Sequence, residues 1–147
     1  TRSGAPPRCH RRMDRTDMLH HISLGVRDLV VAGRFYDAAL NALGYRRVFE
    51  DDTAIGYGLI DDQDLLCLKL RDDASAPGAG FHLAFAAGSR EAVDAFHRAA
   101  VQAGGSDNGP AGLRPDYGAD YYAAFVIDPD GHRIEAVVNA VEAASQP

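Results

Sequence analysis

The chain has 147 residues, 46% of them hydrophobic and 24% charged, with a formal net charge of −6. That length supports one core rather than two, the composition is not that of a disordered chain, and no apolar run nears the roughly 20 residues that span a bilayer. Residues 1–17 hold five arginines against two aspartates, net +3, so the remainder carries −9, and an acidic body excludes the basic face of a nucleic-acid-binding domain.

The first segment, TRSGAPPRCHRRMDRTD, has no apolar period and two adjacent prolines, so residues 1–17 read as a disordered tail. No apolar stretch follows its basic residues as in a secretory signal, and two cysteines, Cys9 and Cys67, make no disulfide framework. A reduced, cytoplasmic protein is expected. Patterning starts at 19–26, where Ile22, Leu24 and Val26 alternate with His21, Ser23 and Gly25, the mark of a half-buried strand. Asp28 is placed to cap a helix whose apolar positions are Leu29, Ala32, Tyr36, Ala39, Leu40 and Leu43 and which Gly44 stops. Strands follow at 45–50, 53–60 and 64–70, the last two joined by a polar hairpin turn.

Residues 71–79 form a polar, Pro- and Gly-containing linker, after which the pattern restarts. Over 80–87, Phe81, Leu83 and Phe85 alternate with His82, Ala84 and Ala86. Ser89 caps a second helix, with Val93, Phe96, Ala100 and Ala103 on its apolar face and Gly104–Gly105 at its end. The glycine- and proline-containing loop 104–120 is expected to hold one short strand. Long loops in compact domains often carry function, so it is also expected to cover a site. Strands at 121–128 and 132–139 complete the pattern, and 141–147 is a tail.

The two halves repeat with an offset of 61: His21 falls on His82, Asp28 on Ser89, Phe35 on Phe96, and Gly44 on Gly105. Each half therefore reads β-α-β-β-β, module 1 over 18–70 and module 2 over 80–140. The expected fold is α+β, with two βαβββ modules forming an eight-stranded curved sheet around a cup and the helices outside. Strand parity puts both histidines on the face away from the helices. On the last strand Ile134, Ala136 and Val138 take the core side, which leaves Arg133, Glu135 and Val137 facing the cup. Two imidazoles and one carboxylate are the donor set of a divalent first-row metal site with open positions.

The segments LHHISLGVRDL, GRFYDAALNALGYR, FHLAF and, most specifically, DPDGHRIEAV resemble the vicinal oxygen chelate superfamily, which includes glyoxalases, bleomycin-resistance proteins and extradiol dioxygenases. The resemblance covers about residues 18–140 and maps the family's metal positions onto His21, His82 and Glu135. It implies one divalent ion per site, whether Zn, Ni, Co, Mn or Fe, with Glu135 and Tyr121 as catalytic candidates. Glyoxalase I takes a fourth carboxylate from the last strand of its first module. Here Cys67 falls on that place, between the cup-facing Leu65 and Lys69, and reads as a small wall residue, the alternative being a thiolate ligand for a soft metal such as zinc. Cys67, Lys69, Tyr117, Phe125 and Arg133 are the substrate-contact candidates, and Arg114 belongs to the same rim. His132 and His20 read as structural, and His97 as exposed or at the helix–sheet seam.

The resemblance implies a metal-dependent isomerase or lyase acting on a small oxygen-chelating molecule. Its alternatives are an Fe(II) ring-cleaving dioxygenase and a metal-free protein that sequesters a small molecule or antibiotic. No membrane or nucleic-acid partner is expected. Modules of this kind pair within one chain or between the two chains of a homodimer.

Overall fold

The computed structural model describes residues 18–140; the two tails read from the sequence lie outside them. Two sheets and two helices make up the fold. The first half runs β1 (Ile22–Val26), α1 (Leu29–Asn41), β2 (Arg46–Glu50), β3 (Ala54–Gly58) and β4 (Leu66–Leu70). The second runs β5 (Leu83–Ala86), α2 (Arg90–Gln102), β6 (Ser106–Asp107), β7 (Gly112–Leu113), β8 (Tyr121–Ile127) and β9 (Arg133–Asn139). The first sheet has the order β1-β4-β3-β2, and the second β5-β9-β8-β6 with β7 also on β8.

The strands thus form a four-stranded and a five-stranded sheet, not the expected single eight-stranded one. The ninth strand arises because the loop holds two short strands. Both pair with β8, at Ile127–Val126 and at Ala123–Tyr122. Pro110 lies between them and has no N–H to give to the ladder, so the edge is broken there.

Local chemistry explains the helices. The Asp28 carboxylate accepts from the N–H groups of Val30 (2.8 Å) and Val31 (3.0 Å), and the Ser89 hydroxyl accepts from Ala92 N–H (3.1 Å). Both helices span 13 residues with a strict offset of 61. The left-handed turn after each helix falls at Gly44 (φ 91°) and at Gly104 (φ 104°), so the repeat slips by one residue there.

The helices pack on one another and on the inner faces of the sheets. One core results, with Leu24, Val26, Phe35, Tyr36 and Leu68 from the first half and Val93, Phe96, Val126 and Ile134 from the second. A polar lock also joins the halves. The Tyr36 hydroxyl donates to Asp128 Oδ2 (2.6 Å), whose carboxylate also meets His132 Nδ1 (2.7 Å) and accepts from the N–H of His132 (2.8 Å). Asp130 in turn accepts from Arg27 N–H (2.9 Å). His132 therefore holds the 128–132 turn, as its parity implied.

β1 and β5 are the outer strands of their sheets. No described helix is long and apolar enough to cross a membrane.

Candidate functional site

The sheet faces turned away from the helices carry the chemistry. On the second sheet β9 lies between β5 and β8, so Glu135 has Ala84 on one side and Phe125 on the other. Ala84 has no bulk to fill the space above it. His82, one residue before β5, and Tyr121, the first residue of β8, close over Glu135 from either side. His82 Nε2 lies 3.1 Å from Glu135 Oε1, and the Tyr121 hydroxyl donates to Oε2 in a short hydrogen bond.

Glu135 is 1% exposed, whereas the His82 side chain is 54% exposed. A carboxylate removed from water is costly unless its oxygens are met, and here each oxygen has a partner. Burial, and then the adjacent Glu135, push the Tyr121 hydroxyl up to about 12, so it remains a donor at neutral pH.

A cavity of about 350 Å³ opens over this cluster, with Phe81, Tyr117, Tyr121 and Phe125 in its walls and Arg133 and Asn108 beside them. Tyr117 and Tyr121 meet at 5.3 Å between ring centroids and a 50° tilt. The loop 104–120 supplies Asn108 and Tyr117, so it does border the site.

The first half places its residues differently. β1 and β4 pair Ser23 with Cys67, as β5 and β9 pair Ala84 with Glu135. Cys67 and Glu135 are therefore equivalents in the repeat. Cys67 is 8% exposed, and burial, with Asp64 nearby, pushes its thiol up and disfavours the thiolate a metal would need. Lys69 is exposed on β4, and neither it nor Cys67 lines the cavity.

His21 stands before β1, exposed, with its Nδ1 2.7 Å from Nδ1 of His20. Strand β1 begins only at Ile22, so His20 lies outside the core it was expected to join. The convergence of His21 with His82 and Glu135 is not made within one chain. Among the described residues no three His, Cys, Asp or Glu side chains form a metal-holding group. Two of the three expected donors, His82 and Glu135, do meet.

Of the remaining candidates, Arg114 is bound away from the cavity. It donates to the carbonyl of Pro110 (2.5 Å), its guanidinium lies over the Phe125 ring, 5.4 Å from the centroid, and it does not line the cavity. His97 contacts Asp107 at 2.9 Å at the helix–sheet seam. Sequence parity assigned Phe81 to the core. Because β5 starts at Leu83, Phe81 is free to turn into the cavity and is 36% exposed. Asn108 had no sequence signal, since its loop has no period.

A second, more open cavity of about 400 Å³ lies between α1 and the β2–β3 hairpin. Within it Arg47 is bound to Asp37 (2.7 Å) and Glu50 (2.8 Å). It gathers no donor set.

A helix-backed pair of duplicated sheets with a histidine–carboxylate cluster on the open face defines a known class of scaffold. A family profile matches residues 18–136, and the chain belongs to the Glyoxalase/Bleomycin resistance protein/Dioxygenase superfamily. A glyoxalase/bleomycin resistance protein from Albidiferax ferrireducens is 34% identical, with a TM-score of 0.71 over 82% of this chain and 97% of its own. A glyoxalase-related enzyme from Fulvimarina pelagi is 28% identical, with a TM-score of 0.65 over 82% of this chain and 87% of its own. A glyoxalase I mutant from Zea mays shares the fold at 23% identity and a TM-score of 0.62, over 81% of this chain and 45% of its own. Among curated proteins no match is found.

Proposed function

We propose that the protein is a divalent-metal-dependent enzyme of the isomerase or lyase type, acting on a small substrate that chelates through neighbouring oxygens. The observation that supports this most is Glu135, a carboxylate 1% exposed on the open face of a sheet, with an imidazole at 3.1 Å. A core position would have no use for that charge. Glu135 and His82 of one chain, with His21 of a second copy, would hold the ion. The two-fold interface this requires is the commonest kind.

A divalent ion held by those residues would supply Lewis-acid stabilisation of negative charge on the substrate's oxygens. The chain's own groups do the rest. Glu135 presents one oxygen to Tyr121 and the other to His82, so one oxygen can stay hydrogen-bonded while the other serves as a donor. Tyr121, protonated at neutral pH, fixes the carboxylate's orientation.

Cys67, a buried neutral thiol, leaves three protein ligands. That open coordination also suits an Fe(II) dioxygenase, and the aromatic walls suit a metal-free sequestering protein.

Metal analysis of the chain purified without chelator tests the reading. We expect close to one divalent ion per chain, and a loss of about tenfold or more in metal affinity in each of His21→Ala, His82→Ala and Glu135→Ala with the fold retained. Iron would move the chemistry to dioxygen, and absence of metal from the wild type would leave sequestration.

A further inference from the structure

We propose that the cavity over Glu135 selects a flat aromatic ring bearing a carboxylate, with that carboxylate on Arg133. The proposal rests on the cavity being the substrate site of the reading above, and adds the class of molecule it takes.

Shape comes first. The walls are rings on both sides of β9: Phe81 beside β5, and Phe125, Tyr121 and Tyr117 on the side of β8. The 50° tilt between Tyr117 and Tyr121 makes an angled wall, and rings placed so offer both a face and an edge to a third ring. At about 350 Å³ the space is at the small end of ligand sites, which favours a compact ring system over a long chain.

Charge comes next. The chain has two cations near the cavity, and they differ. Arg114 is bound to the Pro110 carbonyl, lies over the Phe125 ring and does not line the cavity. Arg133 lines the cavity and is exposed. Among the described residues it makes no side-chain hydrogen bond or ion pair, and a planar guanidinium matches a carboxylate in two parallel hydrogen bonds. Glu135, 1% exposed, turns its two oxygens to Tyr121 and His82, whereas the Arg133 guanidinium is open to a ligand.

Spacing joins the two. Arg133 and Glu135 stand two residues apart on one strand and share a face. At ~3.3 Å per residue their side chains rise about 7 Å apart, which is the span of one substituted benzene ring. A ring lying along β9 therefore puts its carboxylate on Arg133 and the oxygens of its far edge at the His82–Glu135 cluster.

Calorimetric titration of the chelator-treated full chain tests this, with three probes of one shape: 2-naphthoate, neutral 2-naphthamide and cationic 2-naphthylmethylammonium. We expect naphthoate to bind about tenfold more tightly than the amide. Arg133→Gln should bring the two level, and Tyr117→Leu should weaken both several-fold. Equal binding of naphthoate and amide in the wild type, tightest binding of the ammonium probe, or no binding of any ring would each overturn the proposal. Metal content measured on untreated samples separates the failures: metal without naphthoate preference sinks the ligand class alone, and naphthoate preference without metal sinks the metal enzyme alone.

Discussion

The two halves share a register and diverge in what they display. The open face of the first sheet carries Ser23 beside Cys67, a neutral buried thiol, while the open face of the second carries Ala84 beside Glu135, a buried carboxylate held by two side chains. Their connections differ as well. Three residues, 51–53, join β2 to β3, whereas the counterpart between β6 and β8 runs over 108–120, holds the additional strand β7 and delivers Asn108 and Tyr117. A duplicated scaffold thus permits a division of labour. The second half gathers His82, Glu135 and the aromatic walls of the cavity, and in the proposed reading the first would contribute His21.

What joins the halves should be the most sensitive point. Asp128→Ala would strand the Tyr36 hydroxyl, the His132 ring and two backbone N–H groups in a buried place. We expect a loss of about 3–5 kcal/mol in urea denaturation. The same lock sets a pH dependence. The hydrogen bond to Asp128 raises the His132 pKa above its usual 6.5. Its stabilisation is therefore complete below that usual value and fades as pH climbs through the raised one. His132→Gln should flatten that part of the stability profile.

The repeat-equivalent glycines sharpen the comparison. A Cβ at Gly105 would meet Phe35 Cε2 at 2.6 Å and the Ala100 carbonyl at 2.8 Å, whereas one at Gly44 would meet nothing but sits at φ 91°. Gly105→Ala should cost about 1–3 kcal/mol through overpacking, and Gly44→Ala about 1–2 kcal/mol through backbone strain alone. Equal and negligible losses would show that the two ends are not the different contacts described. The smallest effect belongs to Cys67→Ala, a modest stability loss with bound metal unchanged; loss of metal would make the thiol a ligand.

Much of the scaffold was legible in the sequence because local chemistry dictates it. Asp28 and Ser89 are caps, both helices keep the offset of 61, and Glu135 faces the open side as parity required. What parity overstated was strand length. Alternation runs on through 19–21 and 80–82, but β1 and β5 start at Ile22 and Leu83. That frees His20 and Phe81 from the core faces that an extended strand would have given them. The loop 104–120 hid Asn108 because its glycines and prolines leave no period to read. The repeat also announces that two modules belong together without saying whether one chain or two brings their open faces into contact. That turns on packing between surfaces, which no periodicity records.

Mixing two inactive variants addresses that last point most directly. If the protein is a dimer with sites formed between chains, His21→Ala and Glu135→Ala would each spoil every site in their own dimers, and a mixed dimer would hold one intact site and one doubly damaged site. After unfolding and joint refolding, equal mixtures should regain roughly a quarter of wild-type bound metal, since half the dimers are mixed and each has one of two sites whole. Recovery at that level is the predicted result. No metal in the mixture, with wild-type protein carried through the same refolding and fully loaded, would contradict a site shared between chains.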